Sequence, residues 1–356
     1  MAKISAAPAT FAAALQSAGN GDVILLAGGE YGPLSIARRT FDPPLTIRSV
    51  DGATPAKFSK ASIVGGTGIN LENLVFAYEA DQATVADTPV VYLNAANRIE
   101  IRGGEIVGGT AVNGVPEDAE SLDKSGNVIG WPTARGVFVN NSSDVLIQRV
   151  DIHHCHRGII LTRSQRVSIL DNDIHHQRKT GIAGGANELR IEANHFHSNR
   201  PWRYGQTPVG DHGDWFAIWT DANGLKGVYI RDNLMETGDG LPMMGGWIGG
   251  KGVGVIDGWE YTGNTVLGGD HQGFMVSRAT NGNISNNTLL QDVVKAKHLG
   301  IIVQASASDA KITGNKAGSI SDKTALRANT VSLGADPAKA AALRAAWLWQ
   351  RRGGPP

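Results

Sequence analysis

Short apolar strands recur along most of this chain. From about residue 90, glycine-led segments alternate inward and outward positions with the period of two that marks a strand. They include Gly136-Val137-Phe138-Val139, Gly158-Ile159-Ile160-Leu161 and Gly181-Ile182-Ala183-Gly184. The same register continues through Trp215-Phe216-Ala217-Ile218, Gly240-Leu241-Pro242-Met243, Gly273-Phe274-Met275-Val276 and Gly300-Ile301-Ile302-Val303. The first three begin 22 and 23 residues apart. A period of that size marks an architecture in which each repeat buries itself against its neighbours. A second strand ends in an apolar residue followed three positions later by asparagine: Ile169/Asn172, Ile191/Asn194, Ile230/Asn233, Tyr261/Asn264, Ile284/Asn287 and Ile312/Asn315. Another apolar residue follows two later, as in Ile174, Phe196, Met235, Val266 and Leu289. Asparagine tolerates the left-handed backbone of a tight corner, and stacked asparagines can hydrogen-bond up a column. The pattern predicts an all-β chain wound as a right-handed parallel β-helix.

The two ends break the repeat. Residues 8–18 predict a short helix with Phe11 and Leu15 on one face, followed by the apolar strand Val23-Ile24-Leu25-Leu26. The end of a solenoid exposes core and unpaired strand edges, so it needs such a cap. Asp336-Pro337 is a helix start, and Ala338 to Gln350 reads as a helix carrying Leu343, Trp347 and Leu348. That helix either caps the last coil or docks on a partner. The organisation expected is an N-terminal cap over 1–35, the β-helix over 36–325, and a C-terminal helix and tail over 326–356.

Composition narrows the functions. The formal net charge is zero, which gives no global attraction to nucleic acid, and no apolar run reaches membrane-spanning length, so no membrane insertion is expected. The single cysteine, Cys155, excludes an internal disulfide and reads as a small buried hydrophobe. Met1-Ala2-Lys3-Ile4-Ser5 lacks the long apolar core of a signal peptide. The expectation is an extracellular or virion-associated protein.

Three insertions, residues 108–135, 198–214 and 245–254, flank one strand of the repeat and would wall a groove over it. Alternation places Asn140, Thr162, Gly185, Trp219, Met244, Ser277 and Gln304 on the groove floor. Trp219 and Trp215 are candidate sugar platforms, with Trp202, Arg203 and Lys251 on the insertions. The residues preceding each first strand form the column Arg135, Arg157, Thr180, Asp214, Asp239, Gln272 and Leu299. Asp214 and Asp239 would then be one coil apart, about 5–7 Å. Neighbouring carboxylates repel, so one keeps its proton, and an acid beside a base suits glycosidic hydrolysis. Asp211 and His212 on the entering loop would position water or a cation. No cofactor is demanded, although a divalent cation such as calcium is compatible.

The histidines cluster: eight of ten lie between residues 149 and 212. His153, His175 and His197 share one position on successive coils, and Glu236 continues the column. Such imidazoles could ligate zinc, but the favoured expectation is a metal-free stacked ladder. A parallel column, His156, Arg178, Arg200 and Asp239, is basic and would attract an acidic polysaccharide. It also suits a lyase, which neutralises a uronate carboxylate and abstracts an α-proton.

The asparagine column, together with the opening helix, Gly-Asp turn and Gly-x-Tyr turn, resembles the pectate-lyase-like superfamily over roughly residues 20–320. Within it, Asp214, Asp239 and His271 follow the order of the catalytic line in polygalacturonase-type hydrolases. The local motifs differ: His212-Gly213-Asp214, Gly238-Asp239 and His271-Gln272-Gly273 replace Asn-Thr-Asp, Asp-Asp and Gly-His-Gly. The Arg-His-Gly of alginate and chondroitin lyases is also missing. The resemblance implies a polysaccharide depolymerase, glycosidase or lyase. The alternative is a non-catalytic glycan-binding spike of a phage-like particle, a homotrimer or one attached through its C-terminal helix.

Overall fold

The computed structural model describes residues 1–80, 88–109, 120–122, 125–130, 132–203, 211, 213–250, 254–270, 272–292, 299–304, 306–321, 329–331 and 335–352. The strands pair in parallel from coil to coil, the signature of a parallel β-helix. Each coil of the central region contributes to three sheets. The first, here the groove sheet, contains Pro89–Asn94, Arg135–Asn140, the start of Arg157–Leu170, the start of Thr180–Glu192, Asp214–Thr220, Gly246–Gly250, Gln272–Ser277 and Gly300–Val303. The second carries the inward column Ile47, Leu71, Ile101, Ile147, Ile169, Ile191, Ile230, Tyr261, Ile284 and Ile312. The third, here the flank sheet, carries Phe58, Phe76, Ile106, Ile152, Ile174, Phe196, Met235, Val266 and Leu289. All these side chains are buried, and each contributes on the order of 1.5–3 kcal/mol by leaving water.

The corner between the second sheet and the flank sheet is held by asparagine. Nδ2 of Asn172, Asn194, Asn233, Asn264, Asn287 and Asn315 donates to Oδ1 of the next asparagine up at 2.8–3.0 Å, and the column continues to Asn329. The backbone N–H of each donates to the same oxygen. The left-handed residue of the corner is the one before each asparagine: Asp171, Ala193, Asp232, Gly263, Asn286 and Gly314, with φ of 54–67°. Asparagine is therefore needed for its amide, not for its backbone freedom.

The repeat also selects glycine at the start of the groove strands. A Cβ on Gly158 would lie 2.6 Å from the carbonyl of Gly181 on the next coil. Trp215 occupies the equivalent place and is fully buried, its ring packed against Gly269.

Between Asp214–Thr220 and Gln272–Ser277 the sequence register fails. The groove strand of that coil is Gly246–Gly250, pairing Phe216 with Gly246, and not Gly240-Leu241-Pro242-Met243. Pro242 has no N–H for an interior ladder. Gly246 sits so close to Phe216 that a Cβ would fall 1.9 Å from its Cζ. The stretch 245–254 is thus partly groove floor instead of wall.

Helix α1 (Phe11–Ser17) sets Phe11 edge-on to Tyr31 and Phe58, with centroids 5.5 and 5.4 Å away. Helix α2 (Pro337–Arg352) lies along the flank sheet, where Ala340 packs with Leu234, Leu267 and Leu290 beside Leu343 and Trp347. Its apolar face covers the side of its own solenoid. Among the described residues no helix is long and apolar enough to cross a membrane.

Candidate functional site

The outward face of the groove sheet carries three bands. The strand starts present Arg135, Arg157, Thr180 and Asp214 in register. The middle band is apolar: Tyr92, Phe138, Ile160, Ala183, Ala217, Trp247, Met275 and Ile302 are successive partners. Its centre is small and buried, with Ala183 1% and Ala217 6% exposed, while Phe138 and Trp247 on either side are half-buried. The strand ends carry Asn140, Thr162, Trp219, Gly249 and Ser277. Trp219 lines a cleft of about 560 Å³ with Thr162, Gly185, Asp221 and Asn223. Trp247 was missed by sequence reasoning because it lies in the supposed insertion. The proline at position 242 was the signal that could have found it.

A cationic cluster occupies the strand starts. His156 is buried, and its Nδ1 has no hydrogen-bond partner among the described residues. Burial, reinforced by the charges of Arg157, Arg178, Lys179 and Arg135, holds this imidazole well below its ordinary pKa, so it is neutral. Lys179 is half-buried. Burial and the Arg157 guanidinium lower its pKa, with Arg178 adding to the effect and Asp211 and Asp214 opposing it. A lysine depressed in this way is a better proton acceptor near neutrality than an exposed one.

The loop residues are held in place around this cluster. Arg178 Nε donates to Asp211 Oδ2 at 2.7 Å, a pair with both side chains about 10% exposed or less. Asp211 also accepts the Trp202 N–H at 3.3 Å, and its own N–H donates to the Trp202 carbonyl. Trp202 is buried between the guanidiniums of Arg178 and Arg203, 5.8 and 5.0 Å from its ring. Arg203 also pairs with Glu120 on the first insertion. The two insertions therefore touch, with Gly130 packed on Trp202. Trp202 and Trp215 are both closed off and offer no sugar platform, whereas Trp219 and Trp247 keep exposed surface.

The expected carboxylate pair is not brought together. Met244 takes the place beside Asp214 on the next coil, its N–H donating to the Gly213 carbonyl at 3.0 Å. Asp214 itself is buried, in register with Thr180. Asp239 lies in an exposed turn packed on the preceding coil, with Arg200 at 3.3 Å and His176 at 3.8 Å. In the column of Arg178 and Arg200 the next residue is Leu241, whose N–H reaches the Asn199 carbonyl, so Asp239 falls two residues short. A hydrogen bond from Ser198, with the charges of His176 and Arg200, holds Asp239 below the usual carboxylate range. It is ionised and does not suit the role of proton-bearing acid. His212, Lys251 and His271 lie outside the described residues.

The histidine column lies on the flank sheet. The rings of His153, His175 and His197 stack with centroids 4.9 and 4.8 Å apart. Each Nε2 meets a carboxylate of the coil below: His153 with Glu105 at 2.7 Å, His175 with Asp151 at 2.8 Å and His197 with Asp173 at 2.9 Å.

The sequence pattern of the family described as right handed beta helix region matches residues 61–246 and, overlapping, 135–332. No curated protein matches in sequence. Among solved structures, the chain is similar to an alginate lyase from Paenibacillus sp., with TM-score 0.52, 17% identity, and coverage of 88% of this chain and 99% of that one. It is also similar to the surface protein and adhesin PfbA of Streptococcus pneumoniae, with TM-score 0.55, 12% identity, and coverage of 92% and 94%. A DFA-IIIase from Arthrobacter chlorophenolicus gives TM-score 0.50 and 13% identity, over 89% and 83%. At these identities the likeness is one of fold.

Proposed function

The chain belongs to the right-handed β-helix family, and we propose that it is a lyase that holds an acidic polysaccharide along the outward face of its groove sheet. The observation that carries this reading is the stacking of Arg135 and Arg157 at the starts of successive groove strands beside the buried His156, with Arg178 and Lys179 on the next coil adding their charge. Guanidinium groups neutralise a uronate carboxylate, which acidifies the adjacent C5–H. Lys179, with its lowered pKa, takes that proton. The C4–O glycosidic bond then breaks, a C4=C5 double bond remains, and the departing oxygen takes up a proton from water, to which Lys179 later releases its own. Asp214 acts through Lys179, as a positioning residue. The half-buried Phe138 and Trp247 of the apolar band support the sugar rings on either side of the reacting unit.

The test is incubation with a panel of polyuronates and neutral glucans, following the ultraviolet absorbance of the unsaturated uronate alongside new reducing ends. The expected result is absorbance with an acidic polymer only, lost at least about 100-fold in Lys179→Met. Reducing ends without absorbance mean hydrolysis and reject elimination. Binding without either signal selects a second reading, a glycan-binding adhesin, which the continuous apolar band favours because such a floor needs no catalyst.

A further inference from the structure

The flank sheet repeats one pairing and then departs from it. Glu105, Asp151, Asp173 and His195 occupy one column on successive coils, and His153, His175 and His197 stand two residues further along the strands. Glu105 and Asp151 each meet a single imidazole Nε2. At the fourth position a histidine replaces the acid. Asp173 Oδ1 consequently lies 2.9 Å from His197 Nε2 and 3.5 Å from His195 Nδ1. The donor atoms of all three residues fall within 4.8 Å of one another.

The tautomers settle what faces what. His195 Nε2 lies 2.7 Å from Glu236 Oε1. A carboxylate only accepts, so Nε2 carries the hydrogen. The other nitrogen, Nδ1, then presents a lone pair toward Asp173. It is buried, in a side chain 6% exposed, with no hydrogen-bond partner among the described residues. The buried Nδ1 lone pair and the part-exposed Asp173 carboxylate oxygen, 3.5 Å apart, form a donor pair shaped for a cation.

We propose that Asp173, His195 and His197 bind one divalent transition-metal ion. Bonds of about 2.0–2.1 Å around a tetrahedral zinc set neighbouring donors about 3.3 Å apart; the two separations from Asp173 bracket that value, and the two imidazole nitrogens, within 4.8 Å of each other, close on the ion by small side-chain rotations. Without the ion His197 Nε2 donates to Asp173 Oδ1; when the ion takes that place the hydrogen moves to Nδ1, where Ser198 Oγ, 2.9 Å away, accepts it. Glu236 orients His195 from behind, the carboxylate–histidine arrangement that raises ligand basicity. Arg344 of α2 in turn holds Glu236 at 3.0 Å, and the Trp347 ring lies 5.7 Å from His195. Asp173 and His197 keep a solvent-facing side where water completes the coordination. Two imidazoles and one carboxylate select a transition metal over calcium or magnesium. The site lies on the flank sheet, apart from the groove sheet, and does not depend on the lyase reading.

The experiment is titration of the chelator-treated full chain with Zn²⁺ by calorimetry and with Co²⁺ by visible absorption. The expected result is about one equivalent per chain, a tetrahedral Co²⁺ spectrum, a higher Tm with metal, and no response to Ca²⁺. His195→Gln and Asp173→Asn should remove both signals. Glu236→Gln should weaken binding about 10–100-fold, and His153→Gln should leave it unchanged. Absence of saturable Zn²⁺ and Co²⁺ binding by the unmodified chain overturns the proposal. So does binding that survives both ligand substitutions, which would place the ion elsewhere in the histidine column.

Discussion

The asparagine corner and the outward face of the groove sheet are built on the same coils and obey opposite rules. The corner shows asparagine at Asn172, Asn194, Asn233, Asn264, Asn287 and Asn315, all at most 2% exposed. The outward face changes along its length, from Arg135 and Arg157 through Thr180 to Asp214. Inside, each amide satisfies two groups of its neighbours, so one departure leaves buried polar atoms on adjacent coils unpaired. Outside, parallel backbone pairing completes the sheet whatever the side chain is. Constancy therefore reports folding, and variation reports chemistry.

Four measurements would break or sharpen that contrast. The largest effect is expected outside: Lys179→Met should lower kcat by about 10²–10⁴-fold while leaving Tm within a degree or two of the parent. In the parent, the alkaline rise in rate should level off below the pH at which an ordinary lysine titrates, because burial and Arg157 depress Lys179. A loss of stability equal to the loss of rate would mean that Lys179 is structural.

Inside, Asn233→Ala removes the acceptor of two Asn194 donors and the donor to Asn264. Denaturant unfolding should show a loss of about 3 kcal/mol, with KM unchanged for the molecules still folded. A rise in KM would join the two regions that the comparison separates.

Trp247→Ala is the milder outward change. Losing one aromatic platform worth about 1 kcal/mol should raise KM five- to tenfold at constant Tm. An unchanged KM would put the polysaccharide elsewhere.

The smallest effect is graded. Burial, then the charge of neighbouring imidazoles, pushes His154 down to about 3 and His176 to about 4. The unfolded chain binds those protons near pH 6.5 and the folded chain does not. Stability should be full above about pH 6.5 and fall as the pH drops toward 4. Chemical denaturation at a series of pH values reads this directly, and flat stability down to pH 5 would show that the histidines charge in place.

What the sequence disclosed follows the same division. The asparagines and the glycine-led strands were readable because packing repeats them at one spacing. Even there the corner's backbone was misassigned, since side-chain identity does not reveal that Asp171 or Ala193 bears the positive φ. The Asp214/Asp239 alignment failed because spacing alone accepted Gly240-Leu241-Pro242-Met243 as a strand. A five-residue slip, which puts Met244 beside Asp214 and makes Gly246–Gly250 the strand, detached Asp239 from the groove. Trp215 is a candidate platform beside Trp219 in the sequence, but it stands where other coils have an inward glycine and is buried. The cationic cluster was seen only as a column of charge. Its meaning, a buried neutral imidazole and a depressed lysine, depends on burial that a sequence does not carry.

The docking of α2 bears on how the molecule comes apart. A solenoid's contacts are between neighbours, so it can lose coils one at a time from an end. Here Trp347 Nε1 donates to the Asp232 carbonyl at 3.0 Å, and the Asp336 N–H donates to the Gln291 carbonyl at 3.1 Å. The helix thus spans the coils of Leu234, Leu267 and Leu290 like a strap laid across stacked plates. Fraying from that end must first peel the strap away, so the helix raises the barrier to unfolding and makes the last coils leave together.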